Sequence, residues 1–259
     1  MQRQRQQPRS PRRRPATERR FRIGVTTFLL VAAVVAVGAT VQGIVGFGLN
    51  LIAAPLVGIV EPRLVPSTMV VVAMPLYWSM ARRERHAIDW PLIGWISVGR
   101  LPGIAVGAAL VSRIPHDRLS VLVGAVVVAA AALSFAAPDV STTPVTAMTA
   151  GLIAGAMDTT AAVGGPPLAL LTQHRAAAEI RSTLAVAFPI GTVLSIAALA
   201  AAGKVEWWHL EMAVLLAPAV LGGAAIGAAI ARRLGGASIR PAVLTLAALA
   251  GIAAIWRGW

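Results

Sequence analysis

Two long apolar segments that glycine and proline interrupt constrain the fold of this chain more than any other feature. The first lies between Ile23 and Val60, where no side chain is charged, and its interruption is Gln42-Gly-Ile-Val-Gly-Phe-Gly48. The second contains Asp158-Thr-Thr-Ala-Ala-Val-Gly-Gly-Pro-Pro167. In lipid, backbone N–H and C=O groups must be paired internally, so such a break survives only where it is buried in protein or lines a polar cavity. Two such breaks at matching places in two halves point to the binding site of a transporter.

The composition indicates a polytopic membrane protein. Of the 259 residues, 57% are hydrophobic and only 13% are charged, whereas a soluble domain is typically about a quarter charged. Cysteine is absent, which excludes disulfides, thiolate chemistry and cysteine metal sites. The four histidines have no metal-ligand spacing. We therefore predict no metal and no other cofactor.

Most of the excess positive charge lies in the first 22 residues, which contain nine arginines and one acid. This Pro- and Gln-rich segment is not a basic face on a folded domain, the usual footprint of nucleic-acid binding, so no nucleic-acid partner is predicted. We predict a disordered cytoplasmic tail at residues 1–22, which also suits contact with anionic lipid. The apolar run that follows is longer than the h-region of a signal peptide, so the tail is predicted to be retained.

The apolar stretches fall into two halves, at residues 23–138 and 139–259. Since a membrane-spanning helix needs about 20 residues, the lengths predict about eight transmembrane segments, four in each half, with a broken or re-entrant first helix in both. The predicted fold class is therefore an all-α polytopic membrane protein. Matching features recur in order in the two halves and indicate an internal duplication, parallel or inverted: Gly103–Leu110 with Gly223–Ile230, Ser67-Thr68 with Ser182-Thr183, and Asp89-Trp90 with Glu206-Trp207.

Charged loops predict the orientation through the excess of Lys and Arg in cytoplasmic loops. The tail places the N-terminus on the cytoplasmic side of an inner membrane, and the loops Arg175–Arg181 and Arg232–Arg240 are predicted on that side too. Asp139–Pro144, the turn Lys204–Glu211 and the C-terminus then lie outside. The first half does not follow the rule, because arginines flank both ends of Pro91–Ser112.

Several motifs of both halves carry a family resemblance: Gly46-Phe-Gly48 followed by Pro55, Arg85-His-Ala-Ile-Asp-Trp90, Pro102-Gly103, Gly164-Gly-Pro-Pro167 and Arg181-Ser-Thr183. In this order they resemble the sulfite exporter TauE/SafE family of membrane transporters, from about Val25 to Ile255. The resemblance implies transport of sulfite or an organosulfonate, with export as the family expectation, and no hydrolytic chemistry. The segment Ala161-Ala-Val-Gly-Gly lacks the fuller glycine run often seen in the family, which leaves its backbone geometry open.

The two breaks predict where a small anion binds. A broken helix presents unpaired N–H groups and a helix N-terminus that carries about half a positive charge, and two such ends near the midplane suit an oxyanion. Alternatively, the glycines serve tight helix packing, and the polar side chains Gln42 and Asn50 bond a neighbouring helix. The predicted anion-binding residues at the breaks are Gln42, Gly46, Phe47, Gly48 and Asn50 in the first half, and Gly164, Gly165 and Pro166 in the second.

Two ionisable residues, Arg100 and Asp158, lie isolated inside apolar runs and are also predicted to bind substrate. A lone intramembrane arginine costs at least ~2.5 kcal/mol, so Arg100 either attracts the anion in a cavity, pairs with an acid, or snorkels to the interface. Asp158 either partners Arg100, carries a coupling proton, or caps the half-helix that follows it.

The main functional hypothesis is a secondary transporter that moves a small anion, sulfite or an organosulfonate, by alternating access of the two halves. An anion channel is one alternative. Another is an intramembrane enzyme or assembly factor that uses Asp158 and Arg100. No Ser-His-Asp, HExxH or P-loop pattern is present, which excludes an ATP-driven pump in one chain. Too few ionisable groups face the membrane for acid–base catalysis by two carboxylates, so we predict that the protein is not an enzyme. The predicted partners are the anion and the lipid bilayer, and the sequence does not indicate an oligomeric state.

Overall fold

The computed structural model describes residues 23–83, 87–115, 118–136, 139–233 and 240–259, and the predicted tail at residues 1–22 lies outside them. The regular secondary structure of the described residues is helical, as predicted. In addition to a short 3-10 helix at Pro62–Leu64, the helices are α1 (Val25–Val45), α2 (Leu49–Val60), α3 (Ser67–Val72), α4 (Met74–Arg83), α5 (Trp90–Arg113), α6 (Leu119–Ala136), α7 (Pro144–Ala161), α8 (Gly165–Leu171), α9 (Ala177–Ala201), α10 (Trp207–Arg233) and α11 (Arg240–Arg257).

Five helices of the described part are long and apolar enough to cross a bilayer, by length and composition: α1, α5, α6, α9 from Glu179 onward, and α10. The apolar helices Leu49–Val60, Ser67–Trp78 and Pro241–Arg257 are shorter. Many large apolar side chains on the long helices are exposed, as expected for helices that face lipid. The predicted number of about eight transmembrane segments stays a prediction.

The first apolar segment is a helical hairpin, and its break falls where the glycines predict it. Helix α1 ends at Gly46, with φ of 92°, and α2 follows Gly48, with φ of 117°. Both angles lie in the left-handed region, which glycine enters without the penalty of a Cβ atom. Helix α2 folds back onto α1 so closely that a Cβ at Gly38 would lie 2.6 Å from the Leu49 carbonyl oxygen.

The second broken segment is built in the same way. Helix α7 ends at Ala162, which has φ of 59° although it is not glycine. After a short linker, α8 starts at Gly165, and Pro166 occupies the first turn, where a missing N–H costs nothing. The break is therefore present here too, with one left-handed residue instead of two.

Each hairpin packs on a helix of the other half through glycines. A Cβ at Gly227 of α10 would lie 2.1 Å from the Thr40 carbonyl oxygen of α1, and a Cβ at Gly103 of α5 would lie 2.0 Å from that of Leu152 of α7. Only glycine permits such close approach of two helix backbones. The matching stretches Gly103–Leu110 and Gly223–Ile230 therefore serve close helix packing.

Helix directions define two faces of the molecule. The N-terminal face contains the starts of α1, α3 and α10 and the end of α11, because Ser67 donates to the Lys204 carbonyl (2.8 Å) and Gly258 packs on Ser120. The opposite face contains the starts of α5, α7 and α9 and the end of α10. We call it the linker face, because the segment 139–143 that links the two halves lies on it. There, Ser182 donates to the Ala87 carbonyl (2.8 Å).

The orientation predicted from the loops is partly wrong. Helix α1 runs parallel to α10, because Ala36 packs on Gly223 and Thr40 on Gly227, so Arg232 lies on the face opposite the start of α1. The loop Arg175–Arg181 and the segment 139–143 share the linker face with Arg232, and the C-terminus returns to the N-terminal face. Arginine-bearing segments therefore lie on both faces, which is why the charge rule alone misplaced them.

Candidate functional site

Two cavities flank the first break, and both reach Gly46. Their volumes are about 390 Å³ and about 430 Å³, and both are lined by Gly43, Gly46 and Arg181. We call the two together the first vestibule. The first cavity is also lined by Ile44, Val45, Phe47, Tyr77, Ala169, Ile180, Leu184, Ala185, Phe188 and Ala231, and the second by Gln42, Leu76, Leu221, Ala224, Ala225, Ala228 and Arg232.

The charged residues that line the first vestibule are both arginines at its mouth on the linker face. Arg181 lies near the start of α9 and Arg232 near the end of α10. Among the described residues that line the two cavities, none is acidic. A cleft lined by one sign of charge between apolar walls raises the local concentration of oppositely charged solutes. The first vestibule therefore favours anions.

Two aromatic rings close the inner end of the first vestibule. Tyr77 and Phe188 stack with their centroids 4.8 Å apart, and the Phe188 ring lies 5.7 Å from the guanidinium carbon of Arg100. The Tyr77 hydroxyl lies within hydrogen-bonding reach of the Gln42 side chain. The stacked pair thus separates the vestibule from the charged residues behind it.

Behind these rings, Arg100 and Asp158 form a buried ion pair. Arg100 Nη2 donates to Asp158 Oδ2 (2.9 Å) and Nη1 donates to the Ala187 carbonyl (2.8 Å), and the arginine is 0% exposed. The predicted pairing is confirmed, and the alternative that Arg100 snorkels to the interface is wrong. Asp158 also accepts a hydrogen bond from the Gly164 N–H, so it satisfies the amide just ahead of α8. Removing one partner of such a pair leaves a buried charge uncompensated, typically at about 3–5 kcal/mol.

Gln42 bonds an amide at the first break, as Asp158 does at the second. Its Oε1 accepts a hydrogen bond from the Leu49 N–H, the first amide of α2, at 2.9 Å. Asn50, one residue further on, donates from Nδ2 to the Met69 carbonyl at 2.9 Å. Both side chains therefore make the helix-to-helix bonds that were the alternative to substrate contact, although Gln42 also lines the first vestibule.

The structure brings the two breaks together but gives them different surroundings. A Cβ at Gly165 would lie 3.7 Å from Phe47 Cβ, so the breaks touch. Of the predicted binding residues, Gln42, Gly46 and Phe47 line the first vestibule. Neither of its cavities is lined by the others, which are Gly48, Asn50, Arg100, Asp158, Gly164, Gly165 and Pro166. At the second break the Gly164 N–H is already bonded to Asp158, and Pro166 has no N–H to offer.

Sequence reasoning missed four residues of this region: Tyr77, Arg181, Phe188 and Arg232. Two of them had a signal. Tyr77 is the single tyrosine of the chain and lies in an otherwise apolar stretch, and Arg181 directly precedes the repeated Ser-Thr pair. Both arginines had been assigned to loops, whereas they lie within helix ends that border the vestibule.

Another opening lies between α4 and α9, and none of the described residues that line it is charged. Its volume is about 760 Å³, and it is lined by Met74, Pro75, Trp78, Pro189, Ile190, Val193 and Leu194. Trp78 is 62% exposed and Val193 59%, as expected for side chains in contact with lipid. In the described residues no group of three His, Asp or Glu side chains is placed to hold a metal ion.

Comparison with known families identifies the chain. A family model described as Sulfite exporter TauE/SafE matches residues 30–254, which include both breaks and the first vestibule. The chain belongs to this family. Membership implies a membrane transporter of sulfite or related anions, and with the apolar helices it makes the chain an integral, multi-pass membrane protein. No curated protein and no solved structure matches the chain.

Proposed function

We propose that this TauE/SafE chain is a secondary transporter of sulfite or an organosulfonate, which enters from the linker face and binds at the first break. One observation carries the proposal: a cavity whose described lining includes two arginines and no acid ends on a broken helix. Arg181 and Arg232 attract the anion, and the side chains of Gln42 and Tyr77 offer it hydrogen-bond donors at the inner end.

Anion binding needs the two arginines, because the end of α1, which is the negative end of its helix dipole, also lines the first vestibule. Gly43, Ile44 and Val45 form the last turn of this helix, where carbonyl groups lack helical partners and the helix dipole is negative. The N-terminus of α2 lies on the other side of the break and is positive. No α2 residue lines either cavity, so the anion gains most close to the two arginines.

We further propose an inner-membrane location with the N-terminus in the cytoplasm, as the arginine tail favours. The first vestibule then opens to the outside. Reporter fusions test this orientation. A reporter at the C-terminus is expected in the cytoplasm, and one inserted after Asp139 outside. The reverse result would place the first vestibule on the cytoplasmic side.

The transport test uses purified protein in liposomes that contain sulfite. We expect saturable counterflow of labelled sulfite. Arg181→Gln and Arg232→Gln should each raise KM about fivefold, because one unit charge at ~4 Å in a water-filled site contributes about 1 kcal/mol. Arg233→Gln is the matched control, since Arg233 neighbours Arg232 but does not line either cavity.

Two outcomes would contradict parts of this proposal. An unchanged KM in both variants would exclude the first vestibule as the anion's route. Flux that rises linearly with concentration and shows no counterflow would identify an anion channel instead of a carrier.

A further inference from the structure

The contacts between the two halves are reciprocal. Ser67 and Thr68 donate to the carbonyls of Lys204 (2.8 Å) and His209 (3.2 Å), at the start of α10. In the other half, Ser182 donates to the Ala87 carbonyl (2.8 Å), and Thr183 accepts from the Asp89 N–H (3.1 Å), at the start of α5. Each Ser-Thr pair therefore anchors the start of the long helix that belongs to the opposite half.

The hairpins follow the same reciprocal rule. Helix α1 packs parallel to α10, and α7 packs parallel to α5, with glycines at both contacts. Helix α1 starts on the N-terminal face, whereas α7 starts on the linker face. Helices α6 and α11, one from each half, run antiparallel, because Gly124 packs on Gly251 while Ser120 packs on Gly258. A twofold rotation about an axis in the membrane plane explains these directions, and a parallel repeat does not.

This rotation relates residues of the first vestibule to residues around the second break. The end of α1 can be matched to the end of α7 by their last hydrogen bonds, which run from the Gly46 N–H to the Gln42 carbonyl (2.8 Å) and from the Ala162 N–H to the Asp158 carbonyl (2.7 Å). Gln42 therefore corresponds to Asp158. The matching glycines of α10 and α5 place Ala228 opposite Ala108.

We propose that the chain contains inverted repeats and a second anion vestibule, closed in this structure, which opens on the N-terminal face beside the second break. The inference rests on the proposed function, because the same oxyanion occupies the second vestibule after the first has closed. Arg100 supplies the positive charge there, in the role that Arg181 and Arg232 have at the first.

The closed state is visible in the contacts around the second break. Thr159 and Ser195 join α7 to α9 through a hydroxyl–hydroxyl bond of 2.9 Å. Ala108, the counterpart of the vestibule residue Ala228, is only 8% exposed, and Arg100 is held by Asp158 and by the Ala187 carbonyl. Arg100 Nε finds no hydrogen-bond partner among the described residues, so the guanidinium retains a donor for a ligand when the site opens.

The absence of cysteine from the chain permits a direct accessibility test. Single variants Ala228→Cys and Ala108→Cys are reconstituted, and a membrane-impermeant maleimide is added to one face at a time, with an organosulfonate present instead of sulfite, because sulfite itself adds to maleimides. We expect Ala228→Cys to react from the linker face and Ala108→Cys to react from the N-terminal face. Val106→Cys is the control, because Val106 lies on the same helix as Ala108 and is 54% exposed towards lipid. It should stay unlabelled from both faces.

A cross-link tests the closure itself. The double variant Thr159→Cys and Ser195→Cys places two thiols where the hydroxyls now meet. We expect oxidation to stop counterflow of a labelled organosulfonate, which unlike sulfite does not cleave disulfides, and a reductant to restore it, while a third cysteine at Ala228 remains reactive from the linker face in the oxidised protein. Recovery on reduction shows that the variant is folded.

Each result either supports the second vestibule or contradicts it. If Ala108→Cys transports sulfite but never reacts, or reacts from the same face as Ala228→Cys, the second vestibule does not exist. Full transport by the oxidised double variant would overturn it as well. The function fails separately, if the unmodified protein shows no saturable sulfite counterflow, whatever the labelling result.

Discussion

The two breaks have the same backbone plan and opposite surroundings. In both, the last N–H of the hairpin's first helix bonds to the carbonyl of a polar residue, Gln42 in one and Asp158 in the other. The side chain of that residue then accepts from an amide at the start of the next helix. Gln42 is neutral and borders an open vestibule, whereas Asp158 is bound to Arg100 and lines neither cavity of that vestibule.

The difference between the two breaks follows from two corresponding residues, Arg100 beside the second break and Val220 beside the first. By the correspondence between α5 and α10, Arg100 takes the place that Val220 takes beside the first break, and both are 0% exposed. An amide that caps a helix needs no counter-ion, so apolar packing by Val220 suffices there. A carboxylate in the same position needs a cation, and the cation draws α5, α7 and α9 together. We therefore expect the two access states to differ in free energy.

The largest effect should come from breaking the buried pair. Arg100→Gln leaves Asp158 without its cation, and Asp158→Asn leaves Arg100 without its anion. Each should lower the free energy of unfolding by about 3–5 kcal/mol and reduce transport strongly. The double variant Arg100→Gln, Asp158→Asn leaves no charge buried and should recover much of the lost stability. Thermal unfolding in detergent measures all three, and a double variant less stable than both single variants would contradict the assignment of the loss to an unpaired charge.

The glycine contacts should respond equally in both halves. Gly103→Ala and Gly227→Ala each push a methyl group into a carbonyl oxygen of the opposite hairpin, and overpacking of this kind typically costs about 1–3 kcal/mol. Gly94→Ala and Gly222→Ala are the matched controls on the same two helices, since a Cβ at either position meets nothing within 4 Å. In thermal unfolding, Gly103→Ala and Gly227→Ala should unfold at lower temperature, and the two controls should unfold near the temperature of the unmodified protein. If only one of these two variants lost stability, the packing of the two halves would not be reciprocal.

The positions of both breaks could be predicted from the sequence, because glycine, proline and hydropathy carry that information locally, whereas the left-handed angle at Ala162 could not, since it is not a glycine. Gly46 and Gly48 take left-handed angles that most residues avoid, and the isolated Arg100 had to find Asp158, since no other isolated ionisable group lies well inside an apolar run. These predictions needed only the cost of unpaired groups in lipid.

The vestibule could not be predicted in the same way, because it depends on which helices lie side by side. Arg181 and Arg232 are about fifty residues apart in the chain, and they line the same cavity only because α9 starts on the face where α10 ends. The predicted sides of the loops were partly wrong for a related reason. The prediction counted charges in loops, whereas the crossing directions follow from helix packing such as that of Thr40 on Gly227.

Gln42→Leu is expected to have a smaller effect than any change of the ion pair. The substitution removes the acceptor of the Leu49 N–H and leaves this buried amide unsatisfied, which typically costs about 1–3 kcal/mol. No charge is left unpaired, so the loss should stay below that of Asp158→Asn. Thermal unfolding of the two variants side by side measures the difference. A loss at Gln42 as large as that at Asp158 would mean that capping, and not charge, dominates both breaks.

Tyr77→Phe should give the smallest effect. It changes the stacked pair of Tyr77 and Phe188, the wall that separates the first vestibule from the buried ion pair. Phenylalanine preserves the stack on Phe188 and removes only the hydroxyl near Gln42, so stability should change by no more than the ~0.5–1.5 kcal/mol of one hydrogen bond. Sulfite KM should rise a few-fold, because the anion loses one donor at the inner end of the first vestibule. Phe188→Leu is the informative companion, since it removes the stack and the ring over Arg100 while keeping the hydroxyl. If Tyr77→Phe leaves KM unchanged while Phe188→Leu impairs transport, the pair acts as a wall alone, and the anion binds nearer to Arg181.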